Sequence, residues 1–331
     1  MKEIDYFQSR PTVLFVMDKW CEANILNGVS EWEGGLLNSL ESTGLASEII
    51  SFNYDEFWHK NSRCGDDDLL MLCRNKKISL VVVVIYLEPG LHNSVPNYNT
   101  LNVIKNEFGI PIVAIWGDIQ QPHIASLSQK LLSYVSLNVC TASSGAVARF
   151  PLRDNYHYFW VPRDSRIFYN SRETRDILIS YVGTPKPSRM NRINYLRASG
   201  INVYAVGGER HDHLDVSEYA NILRRSKITI SFSRSSDLNY HVINARAFEA
   251  TLCGALLLEE EGVETPQMFT PYVDYVPYDS LDDLAAKAKY YLANENARNV
   301  IAESGCRKCH VRYSAQHFWQ SVFNRTLIAK T

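Results

Sequence analysis

A cation and a carboxylate at the start of one predicted helix are the residues best suited to chemistry. Arg246 and Glu249 are three positions apart, so they share a face of a helix that Asn244 is placed to cap. Both side chains then lie near the positive end of the helix dipole and its free N–H groups. This combination suits a ligand with phosphates at one end and sugar hydroxyls at the other, as in a nucleotide sugar. The alternative is a surface ion pair beside an ordinary core helix.

Two loops of the second half carry further groups for such a ligand. The first follows a predicted strand and opens a helix, so its main chain and cations could approach a diphosphate. Its candidate contacts are Gly183, Thr184, Lys186 and Arg189. Gly207 begins the loop after the next strand, where a base or ribose could lie. Neither loop is a G-x-G-x-x-G or a Walker motif, so a solvated loop is the alternative for each.

Polar loops in the first half offer groups for a second reactant. Gly34 and Gly35 lie near the start of a predicted helix, where an acceptor could approach main-chain N–H groups. Asp118 and His123 follow the fourth predicted strand, and either could act as a general base toward an acceptor hydroxyl. A turn aspartate and a helix-capping segment are the alternatives for this pair.

Composition excludes several classes of protein. The 331 residues are 46% apolar and 21% charged with a net charge of −2, which is typical of a two-domain globular protein. A nucleic-acid partner is not predicted, because a dedicated binder would carry a strong basic excess. No apolar run approaches the roughly 20 residues of a transmembrane helix, and no secretory leader is recognisable. We therefore predict a cytoplasmic protein, with peripheral membrane association left open.

The seven cysteines predict neither disulfides nor a metal site. They are odd in number and scattered, unlike a disulfide framework. Cys306, Cys309 and His310 have the spacing of c-type haem attachment, but an export signal is missing. A single cysteine pair also lacks the second pair of a zinc site, although His310 could be a third ligand. No metal and no cofactor is expected.

Alternating strands and helices must position these candidate residues. Predicted strands of the first half are Thr12–Met17, Ser47–Phe52, Ile78–Leu87, Ile110–Trp116 and Val135–Thr141. Those of the second half are Ile177–Val182, Asn202–Val206, Ile228–Ser233, Ala255–Glu259 and Asp274–Val276. Continuous apolar runs without alternation indicate parallel strands covered on both faces. The pattern predicts two doubly wound, Rossmann-like α/β domains, whose ligands bind beyond the carboxyl ends of the strands.

The segment from Arg246 to Leu258 resembles a known family signature. Its sequence, Arg-Ala-Phe-Glu-Ala-Thr-Leu-Cys-Gly-Ala-Leu-Leu-Leu, is similar to the R-x-F-E-A-x-x-x-G-x-x-L-L motif of glycosyltransferases related to the spore-maturation protein CgeB. These belong to the wider glycosyltransferase group 1 (family 4-like) set. The resemblance extends over most of the second half, from Ile179 to Leu292, whereas the first half matches only by pattern.

The resemblance implies a GT-B fold and glycosyl transfer. Two Rossmann-like domains would face each other across a cleft, with a C-terminal helix crossing back to the first. Residues 1–162, with the helix at about 312–331, would form the acceptor-side domain, and 163–311 the donor domain. A UDP-, GDP- or dTDP-sugar would be the donor, and a glycan, lipid-linked intermediate, protein or small metabolite the acceptor. Glu249 would bind the ribose, and Lys186, Arg189 and Arg246 the diphosphate, without a metal.

One departure from the wider family leaves other functions open. The E-x7-E motif requires a glutamate eight residues before Glu249, and His241 stands there instead. The contacts to the donor sugar and the stereochemical outcome are therefore open, and His241 is a candidate donor contact. The alternatives are a non-catalytic nucleotide-sugar-binding protein of the same fold, a sugar-nucleotide epimerase, or a Rossmann oxidoreductase. The missing G-x-G-x-x-G disfavours the last of these.

Overall fold

The structure, a computed structural model, describes residues 10–30, 32–89, 94–141, 156–184, 186–207, 214–233 and 242–328. The described residues form two compact units. Those within Met1–Thr141, Val147–Asp164 and Ala315–Thr331 make up the first unit, and those within Ser165–Ser314 the second. Within these ranges, no helix combines the length and the apolar character needed to cross a bilayer.

The first unit is built on a six-stranded parallel sheet with the order β2-β1-β3-β4-β5-β6. Its strands are β1 (Thr12–Met17), β2 (Glu48–Asn53), β3 (Leu80–Val83), β4 (Ile112–Trp116), β5 (Leu137–Cys140) and β6 (Tyr156–Tyr158). Every residue of β3, β4 and β5 is buried, as expected for strands covered on both faces. The helices are α1 (Asn38–Glu41), α2 (Tyr54–Asn61), α3 (Asp66–Asn75), α4 (Tyr98–Asn102) and α5 (Pro122–Lys130). Wider π-helical turns precede α1 at Trp32–Leu37 and follow α4 at Val103–Glu107.

The second unit is built on a five-stranded parallel sheet with the order β11-β10-β9-β7-β8. Its strands are β7 (Ile177–Val182), β8 (Tyr204–Val206), β9 (Ser226–Ser231), β10 (Leu256–Glu260) and β11 (Val276–Tyr278). The helices are α6 (Pro187–Ala198), α7 (Val216–Arg225), α8 (Ala245–Leu252), α9 (Thr265–Met268), α10 (Leu281–Ala293) and α11 (Glu295–Arg312). Alternate strand residues, among them Ile179, Ile228 and Leu256, pack with residues of α6 and α10 in one apolar core.

The same strand order recurs in both units and locates a ligand site in each. The first strand of each unit lies between the second and the third, as β2-β1-β3 and as β8-β7-β9. At such a reversal of order the connections leave neighbouring strands in opposite directions, which opens a crevice at their carboxyl ends. The sites are therefore expected where β1 and β3 end and where β7 and β9 end.

The last helix, α12 (Ala315–Phe323), belongs to the first unit although the chain reaches it from the second. Trp319 is fully buried there, and its Nε1 donates to the Ser39 Oγ at 3.0 Å. Its ring also meets the Phe15 ring edge-on at 5.7 Å. The chain thus returns to its first unit, as the resemblance implied.

Four of the labelled elements lie outside the sequence-based expectation, namely α2, β6, the one-turn α9 and the 18-residue α11. The buried positions of α11 have regular helical spacing, but two of them are Arg298 and Gly305, so the apolar periodicity in the sequence is too weak to reveal the helix. A Cβ on Gly305 would lie 2.3 Å from the Asp274 carbonyl oxygen, so the glycine serves close packing and does not end the helix. The strand predicted over Ile78–Leu87 is shorter, since pairing covers only Leu80–Val83.

Candidate functional site

Two glycines form the floor of the crevice in the second unit. Gly183 follows β7 with φ +150°, and Gly207 follows β8 with φ +137°. A Cβ on Gly207 would lie 2.3 Å from the Gly183 carbonyl oxygen, so the two loops pack main chain against main chain. Only glycine satisfies both this conformation and this approach. Because neither glycine carries a side chain, there is space at the carboxyl end of β7 for a side chain from another element.

The guanidinium of Arg246 occupies that opening. A Cβ on Gly183 would lie 2.2 Å from the Arg246 Nη2, and the Arg246 Cζ lies 5.2 Å from the centroid of the Tyr181 ring. The glycine on one side and the aromatic face on the other hold the cation at the carboxyl end of β7. The Arg246 Nε is buried and has no hydrogen-bond partner among the described residues. A donor group therefore remains available to a ligand.

Asn244 fixes the start of the helix that carries this arginine. Its Oδ1 accepts a hydrogen bond from the Arg246 main-chain N–H at 3.0 Å, which confirms the predicted cap of α8. Its Nδ2 donates to the Ser231 Oγ at 3.2 Å, which ties the cap to the end of β9. The free N–H groups of α8 thus lie beside the same strand ends as the guanidinium.

Glu249 lies one turn further along α8 and is buried. The hydroxyl of Tyr219, on α7, donates to its Oε2 at 2.5 Å. Burial lowers the pKa of Arg246, but the surrounding groups Tyr219, Tyr181, Glu249 and Glu259 together raise it above its usual value. The guanidinium is therefore charged at every physiological pH. Arg246 and Glu249 belong to one electrostatic cluster, as their spacing predicted.

Glu259 belongs to the same cluster, although sequence reasoning treated it only as the end of a strand. It is 0% exposed, and neither carboxylate oxygen has a hydrogen-bond partner in the described part of the chain. Burial raises its pKa to about 7. The next residue, Glu260, instead pairs with Arg192 at 3.0 Å. The sequence did carry a signal for this buried carboxylate, because an apolar strand ends in two adjacent glutamates. Adjacent side chains of a strand point to opposite faces, and helices cover both faces of this sheet, so the two carboxylates cannot both be exposed.

The loop after β7 adds cations beside the first turn of α6. The Thr184 carbonyl accepts hydrogen bonds from the Lys186 N–H at 2.9 Å and from the Arg189 Nη1 at 3.3 Å. Lys186 is exposed at the N-cap position of α6, and its ammonium has no partner among residues that the structure describes. This loop therefore presents positive charge and free N–H groups at a strand end. His241 lies outside the described residues.

The structure separates the candidates of the first half. Gly34 and Gly35 lie in the π-helical turn before α1, and a Cβ on Gly35 would lie 3.0 Å from the Arg163 Nη1. Asp118 is exposed in a turn with φ +47°, and its Oδ1 accepts from the Gln120 Nε2 at 3.0 Å. His123 is exposed in the first turn of α5. No hydrogen bond or ion pair joins these side chains to one another within the described ranges.

An aromatic pair instead marks the strand ends of the first unit. The rings of Trp32 and Tyr86 lie 6.1 Å apart, and a Cβ on Gly117 would lie 2.8 Å from an atom of each. The Gly117 N–H donates to the Tyr86 hydroxyl at 3.1 Å. Burial keeps the pKa of Tyr86 well above its usual value, and the charges of Asp118 and Asp18 raise it further. The hydrogen bond from Gly117 lowers this pKa but does not offset the effect of burial. No spacing rule singles out loop aromatics, so the sequence did not reveal them.

The Cys-x-x-Cys-His motif lies within helix α11 and is part of the core. Cys306 and Cys309 are buried, and the Cys309 Sγ lies 2.9 Å from the Thr251 Oγ1. Burial raises the pKa of both thiols, which keeps them protonated. Among the described residues, no three His, Cys, Asp or Glu side chains are grouped as metal ligands.

Comparison with known proteins agrees with this architecture. Residues 189–324 match a family model described as glycosyl transferase-like. HepE from Anabaena, solved with UDP and glucose, superposes with a TM-score of 0.62 at 10% identity, covering 97% of this chain and 100% of that one. An alpha-glucosyltransferase, solved with UDP-glucose and DNA containing an abasic site, gives 0.64 at 9% identity, covering 95% and 98%.

Sucrose-phosphate synthase from Thermosynechococcus elongatus gives a TM-score of 0.61 at 10% identity, covering 97% of this chain and 100% of that one. A search of the curated proteins found no match to this sequence. Because the sequence identities are 9–10%, the solved structures establish only the fold. The family model matches by sequence, and its match lies in the second half of the chain. The protein has the two-domain GT-B fold of glycosyltransferases, and its residues 189–324 match a glycosyl transferase-like family.

Proposed function

We propose that the protein is a metal-independent glycosyltransferase that uses a nucleoside diphosphate sugar as its donor. One observation carries the proposal. The guanidinium of Arg246 is held over Gly183 at the strand reversal of the second sheet, one helical turn from the buried carboxylate of Glu249. The cation suits a diphosphate and the carboxylate suits a pair of sugar hydroxyls, within one ligand's length.

The donor's diphosphate would bind where positive charge converges. Arg246 would contact it from α8, while Lys186, Arg189 and the Thr184 loop would contact it at the start of α6. These groups would stabilise the charge that develops on the departing nucleoside diphosphate, which is the main catalytic demand on such a site. Cations fixed in advance would meet this demand without a metal ion. Glu249 would accept hydrogen bonds from the ribose hydroxyls.

Uridine is the base to test first, ahead of guanosine and thymidine. HepE and the alpha-glucosyltransferase share the fold of this chain and were solved with UDP or with UDP-glucose. Gly207 would border the base or ribose, and His241 would contact the donor sugar at the position of the missing glutamate. Among glycosyltransferases, the signature beginning at Arg246 supports a relationship to the CgeB-related proteins.

The acceptor would bind at the strand ends of the first unit. Asp118 or His123 would serve as the base toward its hydroxyl, with Gly34 and Gly35 near the entering group. A glycan, a lipid-linked intermediate, a protein or a small metabolite fits this role. One neighbour was solved with DNA, but the net charge of −2 gives no reason to transfer that acceptor to this chain.

A nucleotide-release assay tests the proposal. The protein is incubated with UDP-, GDP- and dTDP-glucose, alone and with panels of glycan, lipid-linked and small-molecule acceptors, and free nucleoside diphosphate is measured. We expect slow release from one donor, faster release with a suitable acceptor, and loss of release in Arg246→Ala. Arg225→Ala is the matched control, because that guanidinium is exposed and, among the described residues, its ion pair is with Asp176 at the surface.

The outcomes separate the competing functions. Donor binding without release under any condition would identify a non-catalytic nucleotide-sugar-binding protein. Conversion of the bound donor into another sugar nucleotide would identify an epimerase. Equal release by wild type and Arg246→Ala would contradict the proposed site.

A further inference from the structure

Glu259 is the residue of the second unit whose environment least fits a purely structural role. Its side chain is 0% exposed, and neither oxygen has a hydrogen-bond partner among the residues that the structure describes. A buried carboxylate without partners is strongly disfavoured as an anion. Structural glutamates in the same unit are satisfied, as Glu260 is by Arg192 at 3.0 Å. Glu259 is therefore poised between its charged and its neutral form.

Burial is the largest influence on the pKa of Glu259 and raises it, and Glu260, the next residue on β10, adds to this effect. Arg246 on α8 opposes burial, as do the hydroxyls of Ser231 and Ser233 at and just beyond the end of β9, although neither oxygen of Glu259 has a partner within hydrogen-bonding distance in the described residues. The result is a pKa of about 7. Tyr275 and Tyr278, beside and on β11, also face Glu259, whose charge raises their pKa.

Glu259 lies opposite Ser231 in the pairing of β10 with β9, and the Ser231 hydroxyl binds Asn244, which caps the helix that carries Arg246. The positive charge of Arg246 helps to keep Glu259 ionised. The same guanidinium is the group that we assign to the donor's diphosphate. A bound diphosphate would neutralise Arg246 and bring further negative charge toward Glu259. Both changes favour the neutral acid over the carboxylate.

We propose that Glu259 takes up one proton from solvent when the diphosphate of the donor binds to Arg246. The step converts a carboxylate and a proton into a carboxylic acid, and no other bond changes. It replaces a buried negative charge beside the ligand with a neutral group that carries one O–H donor. This inference rests on the proposed function, because it requires a phosphate ligand at Arg246.

The coupling fixes how affinity changes with pH. The pKa of Glu259 is about 7 in the free protein and would be higher in the complex. Below pH 7 the acid is already protonated, so its contribution to affinity is nearly constant. As pH rises from 7 toward the pKa of the complex, each unit lowers the affinity by up to about tenfold, because a proton must be taken from a more basic solution.

Calorimetric titration with UDP at pH 8 measures the proton directly. The titration is repeated in HEPES and in Tris, whose ionisation enthalpies differ, and the difference in binding heat gives the protons taken up per UDP. We expect about half a proton or more for the wild type. Glu259→Gln should bind UDP without this uptake. Glu260→Gln is the matched control and should retain it, because that residue is the next along β10 and is already paired.

The outcomes separate this inference from the proposed function. UDP binding without proton uptake, or uptake that persists in Glu259→Gln, overturns the inference and leaves the proposed function intact. Failure of UDP and the other nucleoside diphosphates to bind the wild type overturns both. If Glu259→Gln does not fold, the affinity of the wild type for UDP is compared at pH 7 and at pH 9 to decide whether binding takes up a proton. A fall of about tenfold or more supports the inference, and unchanged affinity overturns it.

Discussion

The two sheets share a strand order but end in different chemistry. At the reversal in the second sheet, the half-buried cation of Arg246 lies against Gly183, which abuts Gly207, and the buried carboxylate of Glu249 is on the same helix as the cation. At the corresponding place in the first sheet, the rings of Trp32 and Tyr86 close around Gly117. The topology determines where a ligand binds in each unit. The side chains at the strand ends determine which part of a reaction each unit can serve.

This difference predicts that substitutions in the two units affect different reactants. Changes in the charged cluster should affect the nucleotide donor, whereas changes around the aromatic pair should affect the acceptor.

Arg246→Ala should have the largest effect. Removal of the guanidinium leaves the departing diphosphate without the cation at the end of β7, and we expect kcat for sugar transfer to fall about 100-fold or more. Donor affinity should fall less than turnover, because the charge to be stabilised is greatest as the bond breaks. Steady-state kinetics of nucleotide release measures both quantities. An Arg246→Ala enzyme as active as Arg225→Ala would remove the charged cluster from the mechanism.

Glu249→Ala should weaken donor binding by about 10- to 100-fold, since hydrogen bonds to a charged group contribute about 1.5–3 kcal/mol. The value of kcat should change less, because the ribose contacts are the same in the ground and transition states. Tyr219→Phe removes a single hydrogen bond to this carboxylate, and its effect on the dissociation constant should be smaller. A larger effect from Tyr219→Phe would mean that Glu249 serves the fold and not the ligand.

Gly183→Ala, compared with Gly200→Ala, separates backbone strain from displacement of Arg246. Both glycines have positive φ, at +150° and +78°, so both variants should lose about 1 kcal/mol of stability in denaturant unfolding. The new Cβ meets Arg246 only at Gly183, because nothing lies within 4 Å at Gly200. UDP affinity should therefore fall several-fold in Gly183→Ala alone. Equal losses in both variants would contradict the geometry of the site.

Gly117→Ala should have the smallest effect and should act on the acceptor. Its Cβ would lie 2.8 Å from Trp32 and from Tyr86, so the aromatic pair must move apart. We expect kcat/KM for the acceptor to fall several-fold while UDP affinity stays unchanged. Gly109→Ala is the control, since it changes a positive-φ glycine of the same unit with open space around it. A change in UDP affinity in Gly117→Ala would break the division between the two units.

The sequence predicted those parts of the fold that depend on local pattern. The strands Thr12–Met17 and Ile177–Val182 have the predicted bounds, because continuous apolar runs are bounded by polar residues and glycine. Helix α11 was missed because two positions of its regularly spaced buried face are Arg298 and Gly305, and the glycine is explained by packing against Asp274. Local pattern thus predicts an element when its buried positions are apolar and fails when specific packing places other residues there.

The candidate site divides in the same way. The i, i+3 spacing of Arg246 and Glu249 and the cap at Asn244 are local features, and the sequence revealed all three. Tyr219 and Glu259 join the cluster only through tertiary packing of another helix and another strand, so no spacing rule could find them. The roles assigned to all these residues remain predictions for the experiments above.

The most direct test of the account is calorimetric titration of the wild type and Glu249→Ala with UDP, GDP, dTDP, CMP and NAD. We predict micromolar binding of one nucleoside diphosphate to the wild type, weakened about 10-fold or more in the variant, and no binding of NAD. That result would establish the donor class and its site together. Absence of diphosphate binding, or equal binding by both proteins, would contradict the assignment of the charged cluster to a nucleotide-sugar donor.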